Sequence, residues 1–271
     1  MKTQLSVWSA YYYDETPENA VLEMKKHGVY ASELSDEHGA VLLGRGDPKQ
    51  VGKEFKKFLD EQQFTMTQGH LWLVCKICSD ENAVYKMMQW LDLYDAIGIK
   101  NAVLHLDSMV GSGVSEQERF ERNLEKLKLL QKHIKDEGLQ ICICLENLGG
   151  IAKNIDELNS YVDQLDEACF GICLDTGHLN LHDKDQRNFI LKAGKRLKAL
   201  HIADNQGETD QHMMPYGRGS IDFDEVVCAL REVGYEGLFN LEIPGENRRP
   251  LEILGYKLEY ICKCYEYMMS K

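Results

Sequence analysis

The chain has 271 residues with no break in composition, 44% of them hydrophobic and 28% charged, and a net charge of −13. No apolar run approaches the ~18 residues that span a bilayer, and nothing like a secretory apolar segment follows Met1-Lys2-Thr3-Gln4, so a cytoplasmic protein with no membrane partner is expected. Basic residues are scattered among a larger number of acidic ones, which opposes a nucleic-acid partner because phosphate binding needs a basic surface to displace counterions; a small, neutral or weakly charged substrate is expected instead.

In chain order, short apolar runs alternate with longer amphipathic stretches. The pattern predicts strands over Leu5–Ser9, Tyr30–Leu34, Phe64–Gly69 and Asn101–Leu106, followed in turn by helices over Pro17–His27, Pro48–Gln63, Asp80–Ile97 and Ser115–Glu137. The second half repeats the scheme. Strands are predicted over Gln140–Leu145, Phe170–Leu174, Lys198–Ile202 and Leu238–Ile243, with helices over Asn154–Leu165, Gln186–Gly194, Asp222–Val233 and Pro250–Met269. Gly28, Gly98, Gly138 and Gly234 fall where helices must end, and Pro17, Pro48 and Pro250 fall at or near their starts. Eight such units of about 34 residues imply a single α/β domain over 1–271, a (β/α)8 barrel of parallel strands inside a helix ring. A doubly wound open sheet is the alternative, but no glycine-rich phosphate loop follows the first strand. The nine cysteines are expected to be reduced and without disulfides, since Cys75-x-x-Cys78 lacks the second pair of a structural zinc site.

Residues with metal-ligand chemistry stand near the C-terminal ends of six consecutive predicted strands: His70, His105, Glu146, Asp175, His201 and Glu242. The period of two sorts their neighbours. Cys142, Cys144 and Glu146 share one face of their strand while Ile141, Ile143 and Leu145 share the other, and Asp175, His201 and Glu242 likewise lie opposite aliphatic residues. If the aliphatic faces pack on the helices, the acids and imidazoles converge on the barrel axis at its C-terminal mouth. Glu146, Asp175 and Glu242 would repel one another there and be costly to desolvate, and a divalent cation removes both penalties. Mixed carboxylate and imidazole ligands suit Mn²⁺, Zn²⁺, Co²⁺ or Fe²⁺ better than Ca²⁺, with Mg²⁺ ranked lower.

These residues carry a resemblance. Leu145-Glu146-Asn147, Leu174-Asp175-Thr176-Gly177-His178, Leu200-His201-Ile202-Ala203-Asp204, Leu241-Glu242 and the loop from His212 to Asp222 resemble the xylose-isomerase-like barrel superfamily of sugar and sugar-phosphate isomerases and epimerases, which also includes endonuclease IV. Similarity to its ketose 3-epimerase branch implies one metal held by Glu146, Asp175, His201 and Glu242. It further implies that Glu146 and Glu242 flank a sugar and move a proton through an enediolate, with His178 on a substrate hydroxyl. That branch carries an arginine soon after the seventh-strand histidine; here Asp204-Asn205-Gln206-Gly207 stands there, and Arg218 is the substitute within the glycine loop. Substrate contacts are further expected from Trp72 and Glu33, with Trp8, Tyr11 and Lys76 in the neighbouring loops. The alternative resemblance, to endonuclease IV, implies a cluster of zinc ions on His70, His105, Glu146, Asp175, His178, His201, Asp210, His212 and Glu242, performing phosphodiester hydrolysis. A barrel that binds sugar without chemistry is a third reading, which the four intact central ligands disfavour. Relatives of this kind are often dimers or tetramers, so a homo-oligomer is among the expectations.

Overall fold

The computed structural model describes residues 2–245 and 250–271. Eight parallel strands follow one another around a barrel: β1 (Gln4–Trp8), β2 (Ala31–Leu34), β3 (Thr65–His70), β4 (Asn101–Leu104), β5 (Cys142–Glu146), β6 (Phe170–Asp175), β7 (Leu197–His201) and β8 (Leu238–Leu241). Every sequential pair from β1 to β7 forms a parallel ladder, and β8 pairs with β1. The remaining seam, between β7 and β8, is closed just past the end of β7. There Ile202 N donates to Asn240 O at 2.8 Å and Glu242 N to Ile202 O at 3.1 Å.

Among the described residues ten α-helices surround the strands: α1 (Pro17–Lys26), α2 (Asp36–Leu43), α3 (Pro48–Gln62), α4 (Ala83–Ile97), α5 (Glu116–Glu137), α6 (Ile155–Val162), α7 (Thr176–His182), α8 (Gln186–Ala193), α9 (Phe223–Glu232) and α10 (Leu251–Ser270). Local chemistry sets their ends. Asp47, Ser115, Asn154 and Asp222 each accept a backbone N–H three residues on, satisfying a donor the helix cannot. Gly98 and Gly138 close α4 and α5 at φ of 95° and 65°, a left-handed conformation that costs glycine little. Two helices were absent from the expectation, α2 and α7. Both begin at the C-terminal end of a strand and are short, so their periodicity is lost in what reads as loop. Asp175 ends β6 and also caps α7, accepting His178 N at 2.6 Å. Strand β4 stops two residues earlier than predicted, leaving His105 in the following loop.

The aliphatic faces pack outward against the helices in one continuous core. Inside the barrel lies a separate small cluster of Val103, Cys144, Cys173 and Ala199. Two residues further along come His105, just past the end of β4, and Glu146, Asp175 and His201 at the ends of β5, β6 and β7, so the period of two that builds an apolar layer also delivers a polar layer at the C-terminal mouth. All nine cysteines are free thiols. Among the described residues no helix is long and apolar enough to cross a membrane.

Candidate metal centre

Strand ends β3 to β8 and the loops just beyond them aim their polar side chains at one point. Asp175, His201 and Glu242 present ligand atoms all within 4.8 Å of one another. Glu146 joins them: its Oε2 lies 3.3 Å from His201 Nδ1, which is also 3.2 Å from Glu242 Oε2. His70 and His105 approach Glu146 from the other side, with Nε2 atoms 3.5 and 3.0 Å from Oε2. His178 Nδ1 is 3.1 Å from Glu146 Oε1, and its Nε2 is 3.3 Å from Asp210 Oδ2, which is in turn 3.1 Å from His212 Nε2. All nine residues singled out for metal chemistry therefore belong to one connected cluster.

Backbone and buried side chains orient these groups. His70 Nδ1 donates to Leu71 O at 2.6 Å, and His212 Nδ1 to Glu242 O at 2.8 Å, so each ring turns its Nε2 toward a carboxylate. Asn147 clamps the end of β6, donating to Asp175 O at 2.9 Å and accepting from Asp175 N at 2.8 Å. Its own carbonyl receives His178 Nδ1 at 3.0 Å. Outer contacts of this sort fix which ring nitrogen presents a lone pair.

The electrostatics are those of anions held close together out of water. Burial opposes the charge of Glu146, yet His105 and His201 hold its carboxyl well below the usual carboxylate range. Burial also opposes protonation of His70, which Glu146 lifts to about 9, and of His212, which Asp210 and Glu242 lift to about 10. For Glu242 burial wins and raises the carboxyl. Two buried atoms within the cluster, Asp175 Oδ2 and His201 Nδ1, have no hydrogen-bond partner among the described residues. A lone pair left unpaired in a buried site is costly, and here an oxygen and a nitrogen of that kind stand in one group with the Glu242 carboxylate. The donor set fits a divalent cation.

The other expected residues fall elsewhere. Glu33 was expected at the substrate; it is fully buried beneath His201, with Oε2 2.9 Å from His201 Nε2, so the ring and not the mouth is its neighbour. Tyr11 is also buried, its hydroxyl donating to Leu254 O at 2.6 Å. Trp72 is half-buried against the core, with Lys86 Nζ 5.0 Å from its ring centre. Arg218 is exposed in the glycine loop, without a hydrogen bond or ion pair among the described residues. In the stretch from Asp204 to Gly207, Asn205 is structural: buried, it donates to Gly177 O at 2.8 Å and accepts from Asn180 at 2.8 Å. Gln68, Asn147 and Cys173 were not singled out. Gln68 and Cys173 lie two residues before His70 and Asp175 on the same strand faces, a signal the period of two carries. Cys173 stands with Glu146 and His201 in a further group of close ligand atoms.

The model of the family described as xylose isomerase-like TIM barrel matches residues 21–264. The chain belongs to that family. Among its relatives a D-psicose 3-epimerase of Enterocloster bolteae is 29% identical over 127 residues, covering 47% of this chain and 40% of that protein. A probable endonuclease 4 of Mycoplasmopsis agalactiae is 22% identical over 253 residues, covering 83% and 89%. The chain spans about half the length of the first curated relatives it matches. A crystal structure of a D-psicose 3-epimerase in the presence of D-fructose superposes with a TM-score of 0.79, at 13% identity over 99% of this chain and all of that one. Within this xylose isomerase-like family both ketose epimerases and an endonuclease are thus similar to the chain.

Proposed function

We propose that the protein is a divalent-metal-dependent isomerase or epimerase acting on a sugar, sugar phosphate or related polyol ketone. The observation that carries this is the convergence of Glu146, Asp175, His201 and Glu242, with Asp175 Oδ2 and His201 Nδ1 left unpaired among them. A cation held by these four would polarise a substrate carbonyl and hydroxyl and so acidify the C–H between them. Glu146 and Glu242 reach the site from different strands, and a carboxylate on each side of the sugar lets one take the carbon-bound proton while the other returns one. His178, tied to Asn147 O through Nδ1, would turn Nε2 from Asp210, 3.3 Å away, to a substrate hydroxyl. The net charge of −13 supports a small-molecule substrate over nucleic acid.

The test is proton exchange. A panel of ketoses incubated in D₂O with Mn²⁺ or Co²⁺ is expected to yield an epimer or isomer carrying deuterium at the reacting carbon. Glu146→Gln and Glu242→Gln should each lose about 10²-fold or more in turnover, the usual range for a general acid or base. Full turnover in both variants on an identified sugar would sink the two-base reading.

One observation favours a second reading. His70 and His105 bring two further donors to Glu146, and Asp210 bridges His178 and His212, which is room for more than one cation. Such a cluster suits hydrolysis of a phosphodiester, in which several metals clamp the attacking and leaving oxygens. Metal content of the purified protein separates the two: about one Mn, Co or Fe ion per chain supports the isomerase, and two or three zinc ions support the hydrolase.

A further inference from the structure

Glu33 lies on β2, a strand that supplies none of the nine clustered residues, yet it is entirely buried and faces the barrel axis. Its Oε2 is 2.9 Å from His201 Nε2. Gln68 Nε2 donates to the same oxygen and also to Leu200 O at 3.2 Å, the carbonyl of the residue before His201. The His201 ring is therefore braced twice, at its side chain through Glu33 and at its backbone through Gln68. A carboxylate only accepts, so Nε2 carries a hydrogen, and in the neutral ring that a cation requires Nδ1 carries the lone pair. Nδ1 is the atom that faces Glu146 and Glu242 without a hydrogen-bond partner.

We infer that Glu33 is a positioning residue of the metal centre, selecting the His201 tautomer with Nδ1 free to ligate and holding the ring in line. The inference rests on the metal-dependent reading above and adds to it an element outside the ligand set. Three features make the assignment specific. Glu33 has no lysine or arginine beside it among the described residues, so the His201 ring is the one basic group that accounts for a buried carboxylate there. Its second oxygen, Oε1, makes no hydrogen bond among the described residues, so His201 and Gln68 are the partners for which this side chain is kept. Finally, a negative charge behind the ring raises the donor strength of the opposite nitrogen, which a neutral acceptor does only weakly.

The experiment titrates Co²⁺ into metal-stripped wild type, Glu33→Gln and Glu33→Ala, following the visible ligand-field spectrum and the dissociation constant. Circular dichroism and the melting temperature establish folding. Glutamine preserves volume and can still accept from Nε2 but removes the charge, so Glu33→Gln should bind several-fold more weakly with a nearly unchanged spectrum. Glu33→Ala removes orientation as well and should bind roughly 10–100-fold more weakly, with an altered spectrum. If alanine prevents folding, Glu33→Gln carries the test, and wild-type affinity in that variant overturns the inference. So does an unchanged affinity and spectrum in a folded Glu33→Ala. Should wild type itself bind no Co²⁺, Mn²⁺ or Zn²⁺, it is the metal reading that fails, which keeps the two failures apart.

Discussion

Asn147 shows how much of the site depends on single side chains that touch no substrate. Its amide satisfies both the N–H and the C=O of Asp175 in a fully buried position, and its carbonyl anchors His178. Asn147→Ala strands two buried backbone groups at once, at about 1–3 kcal/mol each. The expected result is a loss of at least ~2 kcal/mol in urea unfolding, together with weaker metal binding as Asp175 loses its anchor. Unchanged stability and affinity would mean that the end of β6 is held by other contacts. Asn147 was visible in the sequence only as part of a motif, because amide donors and acceptors announce no direction until the backbone is placed. Glu146, Asp175, His201 and Glu242 were legible for the opposite reason. Each stands at a strand end on a face defined by alternation, and alternation survives without coordinates. Glu33 obeys the same alternation on β2, but depth within the barrel does not follow from period, so a group beneath His201 read as one at the mouth.

At the scale of elements, the eight strands and their main helices were readable because burial on one face writes a period into the chain. The helices α2 and α7 were not, since they are short and follow their strands without a break, capped by Ser35 just after β2 and by Asp175 at the end of β6, where the chain reads as loop. Helix α2 carries a consequence for acid stability through His38. That ring is buried, with Nδ1 2.9 Å from Ser9 Oγ and Nε2 donating to Glu15 O at 3.2 Å. Burial lowers its pKa below the usual imidazole value, outweighing the opposing pull of Glu15 O and Glu18. A folded pKa below the unfolded one means that the unfolded chain binds more protons in that window. The contribution of His38 is therefore complete above the unfolded value of about 6.5 and is lost as pH falls from there through the folded value. His38→Gln should be less stable at pH 7 by about 1–2 kcal/mol, through the altered hydrogen bonds. It should also lose less stability than wild type between pH 7 and 5. Parallel stability–pH curves for the two proteins would show that His38 is not the titrating group.

Over the whole molecule, the site and the seam of the barrel are the same place. Seven strand pairs are ladders of the sheet, whereas β7 and β8 are joined by hydrogen bonds through Ile202, at the level where His201 and Glu242 face each other. A cation shared by His201 and Glu242, as proposed, would tie together the two strands with the least backbone pairing, so its binding energy would be directed to the weakest junction. Stabilisation by a ligand that binds the folded state alone follows RT ln(1 + [L]/Kd), or about 2.7 kcal/mol at a hundredfold excess over Kd. For a chain of this size that corresponds to roughly 5–10 °C in Tm, reversed by EDTA. Location is the stricter part of the prediction. Hydrogen exchange should slow most at the Ile202 and Glu242 amides. The Cys142 and Ile143 amides, bonded to Lys100 O and Cys169 O at the opposite, N-terminal end of the barrel, should change little. Uniform slowing at all four amides would indicate that the cation acts on global stability alone, and no slowing at Ile202 and Glu242 would place the ion away from the seam.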